Sequence, residues 1–117
     1  MRVIIHHNPR CSKSRATLAL LREHGIKPEI VPYLDQPPSV EQLKQLTRML
    51  GLRAVDLLRS GEPAWLELGL DAENTDEETV FAQLAAHPIL IQRPIVVVGE
   101  RARIGRPPEA VLEILTN

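Results

Sequence analysis

The chain is short of several things. Its 117 residues include one cysteine, one tryptophan, one tyrosine, one phenylalanine and three lysines. A single cysteine, Cys11, cannot close a disulfide within the chain, so no disulfide framework stands in for a hydrophobic core. Aromatic residues make up 3%, too few for a platform on which bases stack, and Trp65 and Phe81 are read as core. Fourteen Lys and Arg against fifteen Asp and Glu leave a net charge of -1, without the basic excess of a non-specific nucleic-acid binder. No apolar run approaches the ~18 residues of a membrane span, and no charged-then-apolar leader opens the chain. These absences point to a soluble cytoplasmic protein. With no repeat and no linker-like stretch, residues 1–117 are expected to form a single domain.

What is present is an ordinary globular balance, 44% apolar and 25% charged, with a bias among the cations. Eleven are arginines, whose fixed fork of donors grips planar or tetrahedral oxyanions. The ten prolines are scattered as His-Pro, Arg-Pro and Pro-Pro pairs that punctuate elements.

Val3, Ile4 and Ile5 read as a first strand that stops at Asn8 and Pro9. Apolar residues at Ala16, Leu18, Leu20 and Leu21 predict a helix from about Ser12 to a stop at Gly25. Glu29 to Tyr33 reads as a second strand. A Ser39–Gln42 capping box opens a helix carrying Leu43, Leu46 and Leu50, which Gly51 ends. Two short helical stretches are expected from Leu52 to Leu70, broken at Gly61 to Pro63. A further helix is expected from a Thr75–Glu78 capping box, burying Val80, Phe81 and Leu84. Ile95 to Val98 and Ala102 to Ile104 form a hairpin across Gly99 and Glu100. Pro107 and Pro108 open a last helix through Leu115. This order predicts an α/β fold: a thioredoxin-like mixed sheet of about four strands flanked by helices, with an all-helical insertion between strand 2 and the C-terminal hairpin.

The string His7-Asn8-Pro9-Arg10-Cys11-Ser12-Lys13-Ser14-Arg15 puts the lone thiol at a helix N-terminus, where free N–H groups and the positive end of the helix dipole converge. That geometry binds anions and favours thiolate over thiol. His7, Lys13 and Arg15 can add positive charge, while Asn8 and Ser14 can fix the loop or donate to sulfur. Flanked by charged and polar residues, Cys11 is not expected in the core. A Cys-x-x-Cys dithiol is excluded by Ser14, and a Cys-x5-Arg phosphatase loop by Thr17. An oxidised Cys11 must therefore be restored by an external thiol. His6 and His7 are adjacent and face opposite sides of a strand, so no metal site is expected. Asp76, Glu77 and Glu78 are read as favourable first-turn charges, and His87 as a loop residue.

His7-Asn8-Pro9 with Cys11, Ser14 and Arg15 is followed in order by Tyr33-Leu34, by Leu57-Leu58-Arg59, by the run from His87 to Val97, and by Gly105-Arg106-Pro107-Pro108. Over nearly its whole length the sequence resembles the glutaredoxin-dependent arsenate reductases, the ArsC-like branch of the thioredoxin superfamily. The resemblance implies that Cys11 attacks arsenate and that Arg59, Arg93 and Arg106 surround the oxyanion and its arsenic adduct. It also implies that the neighbourhood of His7 lowers the thiol pKa, and that Arg93-Pro94 is the cis-proline loop beside the nucleophile. No bound cofactor is implied; glutathione and glutaredoxin act as external reductants, and a monomer is expected. The chain departs from the pattern at Ser12 and Lys13, where better-known members carry smaller residues, and it lacks the C-terminal extension of the longer enzymes. Two other readings share the scaffold. One is an Spx-like redox-responsive transcriptional regulator binding RNA polymerase, which has no need of the arginine set. The other is a glutathione-dependent thiol transferase, in which the arginines bind glutathione carboxylates.

Overall fold

A computed structural model describes residues 2–115, which fall into two compact units. The sheet unit comprises the chain up to Gln36 and again from Arg93, and the helical unit runs from Pro37 to Gln92.

In the sheet unit, strands β1 (Val3–His6), β2 (Glu29–Val31), β3 (Ile95–Val98) and β4 (Arg101–Ile104) lie in the order β2-β1-β3-β4. β1 pairs parallel with β2 through helix α1 (Ser12–Glu23), and antiparallel with β3, which pairs antiparallel with β4. This is the mixed four-strand sheet the sequence predicts. Ile5 faces Ile30 on one side and Val96 on the other. Alternation along β1 sends Val3 and Ile5 to the same face, where they meet Leu18 and Leu21 of α1. Val96, Val98, Val111 and Ile114 complete that core. Full burial of each such side chain contributes about 1.5–3 kcal/mol.

Two elements differ from expectation. β2 stops at Val31 rather than Tyr33, because Pro32 has no N–H for the ladder and its carbonyl instead accepts from the N–H groups of Asp35 and Gln36. The last segment, Pro108–Ile114, is a 3-10 helix rather than an α-helix. It is short and opens on two prolines that donate nothing, and i+3 bonds close both ends, Ala110 to Pro107 and Leu115 to Leu112. α1 does end where expected, with Gly25 at φ 73° and the Ile26 N–H bonded to the Leu21 carbonyl.

The helical unit holds α2 (Val40–Leu50), α3 (Ala54–Leu57), α4 (Pro63–Leu66) and α5 (Glu77–Ala86). Its buried residues include Leu43, Leu57, Trp65, Val80, Phe81, Leu84 and Leu90. The predicted box on α2 is present in both directions: the Gln42 N–H donates to Ser39 Oγ at 3.1 Å, and the Ser39 N–H to Gln42 Oε1 at 2.9 Å. The box predicted at Thr75 is not. Asp76 caps α5, its carboxylate accepting from the Thr79 N–H at 3.3 Å and the Thr79 hydroxyl at 2.6 Å. An aspartate one position later offers a charged acceptor to the helix N-terminus, and Thr75 donates to the Asp71 carbonyl instead.

Candidate active site

The turn after β1 is tied at several points. The Cys11 N–H donates to the Asn8 carbonyl at 3.0 Å, and the Arg10 N–H to Asn8 Oδ1 at 2.9 Å. Arg15 Nη1 donates to the Pro9 carbonyl at 2.9 Å, so Arg15 staples the turn. These bonds leave Cys11 as the N-cap residue of α1, in extended backbone, as its place in the sequence predicts. Cys11 is 8% exposed. It is thus buried, contrary to the expectation drawn from its charged and polar neighbours.

Burial by itself raises the thiol pKa, yet the net shift is down. The N–H of Ser14, the guanidinium of Arg93 and the N–H of Lys13 donate toward the sulfur, and the charge of Arg93 adds to them. Sγ makes no complete cap bond as a thiol, but these donors face it and stabilise the thiolate. From the far end of the chain, Arg106 Nη2 reaches Sγ at 3.6 Å while its Nε donates to the Arg93 carbonyl at 2.8 Å. That second bond fixes the guanidinium plane against the thiol. The Arg93-Pro94 peptide is cis, as the resemblance implies, and so is Arg106-Pro107.

His7 does not act as the extra cation. Burial first, and then the charges of Arg22 and Arg15, push its pKa down, which keeps the ring neutral at pH 7. Its Nδ1 lies 2.6 Å from Ser14 Oγ, which also accepts from the Asn8 N–H at 3.0 Å. His7, Asn8 and Ser14 therefore form a buried network that holds the first turn of α1, and the hydrogen bond of the His7 ring goes to Ser14.

The structure brings Cys11, His7, Asn8, Ser14, Arg15, Arg93 and Arg106 together in the sheet unit. Arg59 belongs to the helical unit, where its Nε pairs with Glu62 at 3.2 Å and its N–H donates to the Leu90 carbonyl at 2.7 Å. Gly105, which the sequence reading names only as part of a motif, has a packing role that it did not give. A Cβ there would overlap Thr17 Oγ1, lie 2.8 Å from Pro94 Cγ and 3.1 Å from Thr17 Cγ2. Its N–H donates to the Pro94 carbonyl at 2.9 Å. Only a residue without a side chain lets the chain leaving β4 pass this close to Thr17 of α1 just before Arg106. The Gly-Arg-Pro string is the signal that marks it. Among the described residues no three His, Cys, Asp or Glu side chains gather as a metal site, and no helix is long and apolar enough to cross a membrane.

Residues 6–114 match the model of the ArsC family. The chain is 47% identical over 116 residues to an arsenate reductase of Haemophilus influenzae, covering 98% of this chain and 100% of that one. It is 46% identical over 112 residues to an arsenate reductase of Neisseria meningitidis serogroup A, covering 95% and 96%. Among solved structures, an arsenate reductase from Vibrio cholerae superimposes with a TM-score of 0.94 at 51% identity, covering 97% of this chain and 98% of that one.

Proposed function

The chain belongs to the ArsC family, and from that premise we propose that it is an arsenate reductase working through Cys11. The observation that carries the reading is the pairing of a thiolate-favouring helix N-terminus with an arginine held by the Arg93 carbonyl 3.6 Å from the sulfur. At pH 7 arsenate is a tetrahedral mono- or dianion. Arg93, Arg106 and the N–H groups of α1 balance its charge, which lets an anionic nucleophile approach an anionic substrate.

The thiolate displaces one oxygen, which leaves protonated as water, and an As–S bond forms. The thiolate of glutathione then displaces a second oxygen, so that arsenic carries both sulfurs. Formation of the Cys11–glutathione S–S bond as both As–S bonds break leaves one electron pair on arsenic, which becomes arsenite. Glutaredoxin then resolves the mixed disulfide, and a second glutathione is consumed as glutathione disulfide. Arg59, assigned to the oxyanion by the family resemblance, is kept in this proposal as a residue to be tested by Arg59→Ala.

The test is arsenate-dependent oxidation of NADPH with the protein, glutathione, glutaredoxin and glutathione reductase, beside Cys11→Ser. Turnover is expected only with arsenate, Cys11 and glutaredoxin all present. Appreciable reduction by Cys11→Ser would overturn the mechanism. Turnover of a glutathionylated disulfide without arsenate would mark a thiol transferase instead.

A further inference from the structure

The net charge of -1 conceals a segregation. The sheet unit carries ten Lys and Arg against six Asp and Glu, a net of +4, while the helical unit carries four against nine, a net of -5. Within the sheet unit, Arg2 pairs with Glu29 at 2.7 Å and Arg103 with Glu113 at 3.2 Å, while Arg22 and Lys27 join no ion pair among the described residues. Four more cations without a carboxylate lie in the turn and first helical turn that hold Cys11, or beside its sulfur. Among the described residues, Arg10, Lys13, Arg15 and Arg106 make no ion pair with a carboxylate, and all four are exposed. Lys13 sits in the first turn of α1, which holds no acidic residue, so its charge opposes the helix dipole.

The oxyanion does not account for this excess. A dianion is matched by Arg93 and Arg106, with about half a charge more from the helix N-terminus. Arg10, Lys13 and Arg15 are surplus to it. The sole thiol must also be regenerated from outside the chain, so a second molecule has to approach this face in every cycle.

We propose that Arg10, Lys13 and Arg15 form a docking rim for the thiol protein that regenerates Cys11, and that this partner presents carboxylates around its own thiol. The proposal rests on the recycling step described under Proposed function. The partner's thiolate attacks the glutathione sulfur of the Cys11–glutathione disulfide and the S–S bond breaks. Cys11 leaves with the electron pair as a thiolate, facing the N–H groups of Lys13 and Ser14 and Arg106, and the partner carries glutathione away as its own mixed disulfide. A rim of unmatched cations raises the encounter rate of an acidic partner, and salt screens the effect.

The experiment follows reduction of the Cys11–glutathione disulfide of the full chain by an acidic glutaredoxin, at increasing ionic strength, beside the small thiol 2-mercaptoethanol, which has no carboxylates. The second-order rate constant with glutaredoxin is expected to fall as salt rises, to fall about fivefold in Arg10→Glu, and to be kept by Arg10→Lys. The rate with 2-mercaptoethanol is expected to change less than about twofold, since the single charge of its thiolate is steered far less than a carboxylate-rich protein surface. Equal losses with both thiols overturn the proposal, because the substitution would then have disturbed Cys11 itself. A glutaredoxin rate untouched by salt and by Arg10→Glu overturns it too, as does a fall confined to kcat/KM for arsenate, which would assign the rim to the oxyanion. If glutaredoxin does not accelerate reduction even of the wild-type disulfide, the recycling reading fails and the proposal with it, an outcome distinct from the other three.

Discussion

The two units obey different rules at their helix ends. In the helical unit α2, α3 and α5 all carry acidic residues in the first turn, α2 and α5 have side-chain caps, and α4, which has neither, opens on a proline with no N–H to satisfy. Each of these choices relieves the unpaired N–H groups of a helix start. In the sheet unit α1 has no acid in its first turn, no side-chain cap bond, and a lysine where the dipole favours an anion. The difference shows what each helix start is for. Most helix starts of the helical unit are met by its own side chains, whereas α1 leaves donors that face the Cys11 sulfur and that the proposed mechanism offers to an anion.

The largest effect is expected at Arg106, which touches the thiol. Arg106→Ala should lower kcat/KM for arsenate by about 10²–10³, or ~3–4 kcal/mol of barrier, as for loss of one preorganised donor to developing charge. Far-ultraviolet circular dichroism should be unchanged. A loss of under tenfold would mean that the guanidinium near Sγ is incidental to catalysis.

Glycine separates the units next. Gly105→Ala forces a methyl group against Thr17 and Pro94, whereas a Cβ at Gly61 meets nothing within 4 Å. The first should cost ~1–3 kcal/mol of stability, as overpacking does, and the second no more than about 0.5 kcal/mol. Urea unfolding measures both. Gly105→Ala should also slow arsenate reduction, because the same displacement moves Arg106; equal stabilities would show that α1 and β4 yield freely.

The thiol offers a subtler comparison through pH. Because donors outweigh burial, the Cys11 pKa lies below that of an ordinary thiol, so the thiolate persists as pH falls. Alkylation by iodoacetamide, a neutral reagent, should therefore show its midpoint below the usual ~8.5. Arg93→Met removes a hydrogen bond and a charge while burial stays, so the midpoint should move upward. An unmoved midpoint would assign the shift to the N–H groups of Lys13 and Ser14 alone.

Much of this was legible from local pattern. The β-branched runs of β1 and β3, the glycine stop of α1, the Ser39–Gln42 box and the place of Cys11 at a helix start depend on neighbouring residues. The errors arose where adjacent residues compete. Asp76 wins the cap from Thr75, and Pro32 cuts β2 short. What lay beyond the sequence is non-local. Arg106 meets a sulfur 95 positions earlier, and only the family resemblance pointed to it. His7 as a neutral brace depends on its burial, which a string of residues does not show. The segregation of charge was hidden because the two units cancel in the sum.

The smallest effect should come from the helical unit's own cap. Ser39→Ala removes the hydroxyl that accepts from the Gln42 N–H, while the Ser39 N–H keeps its bond to Gln42 Oε1. Half of the box therefore survives, and the expected cost is ~1 kcal/mol, near the middle of the range for lost N-caps. Urea unfolding should show the change in midpoint with an unchanged slope, since no surface is newly exposed in either state. The rate and pH midpoint of Cys11 alkylation should match wild type wherever the variant is folded, because none of the donors that lower the thiol pKa lies in this unit. A shifted alkylation midpoint in Ser39→Ala would break the division of labour, since a cap that only helps a helix to fold has no means of changing the charge state of a thiol held by Ser14, Lys13 and Arg93.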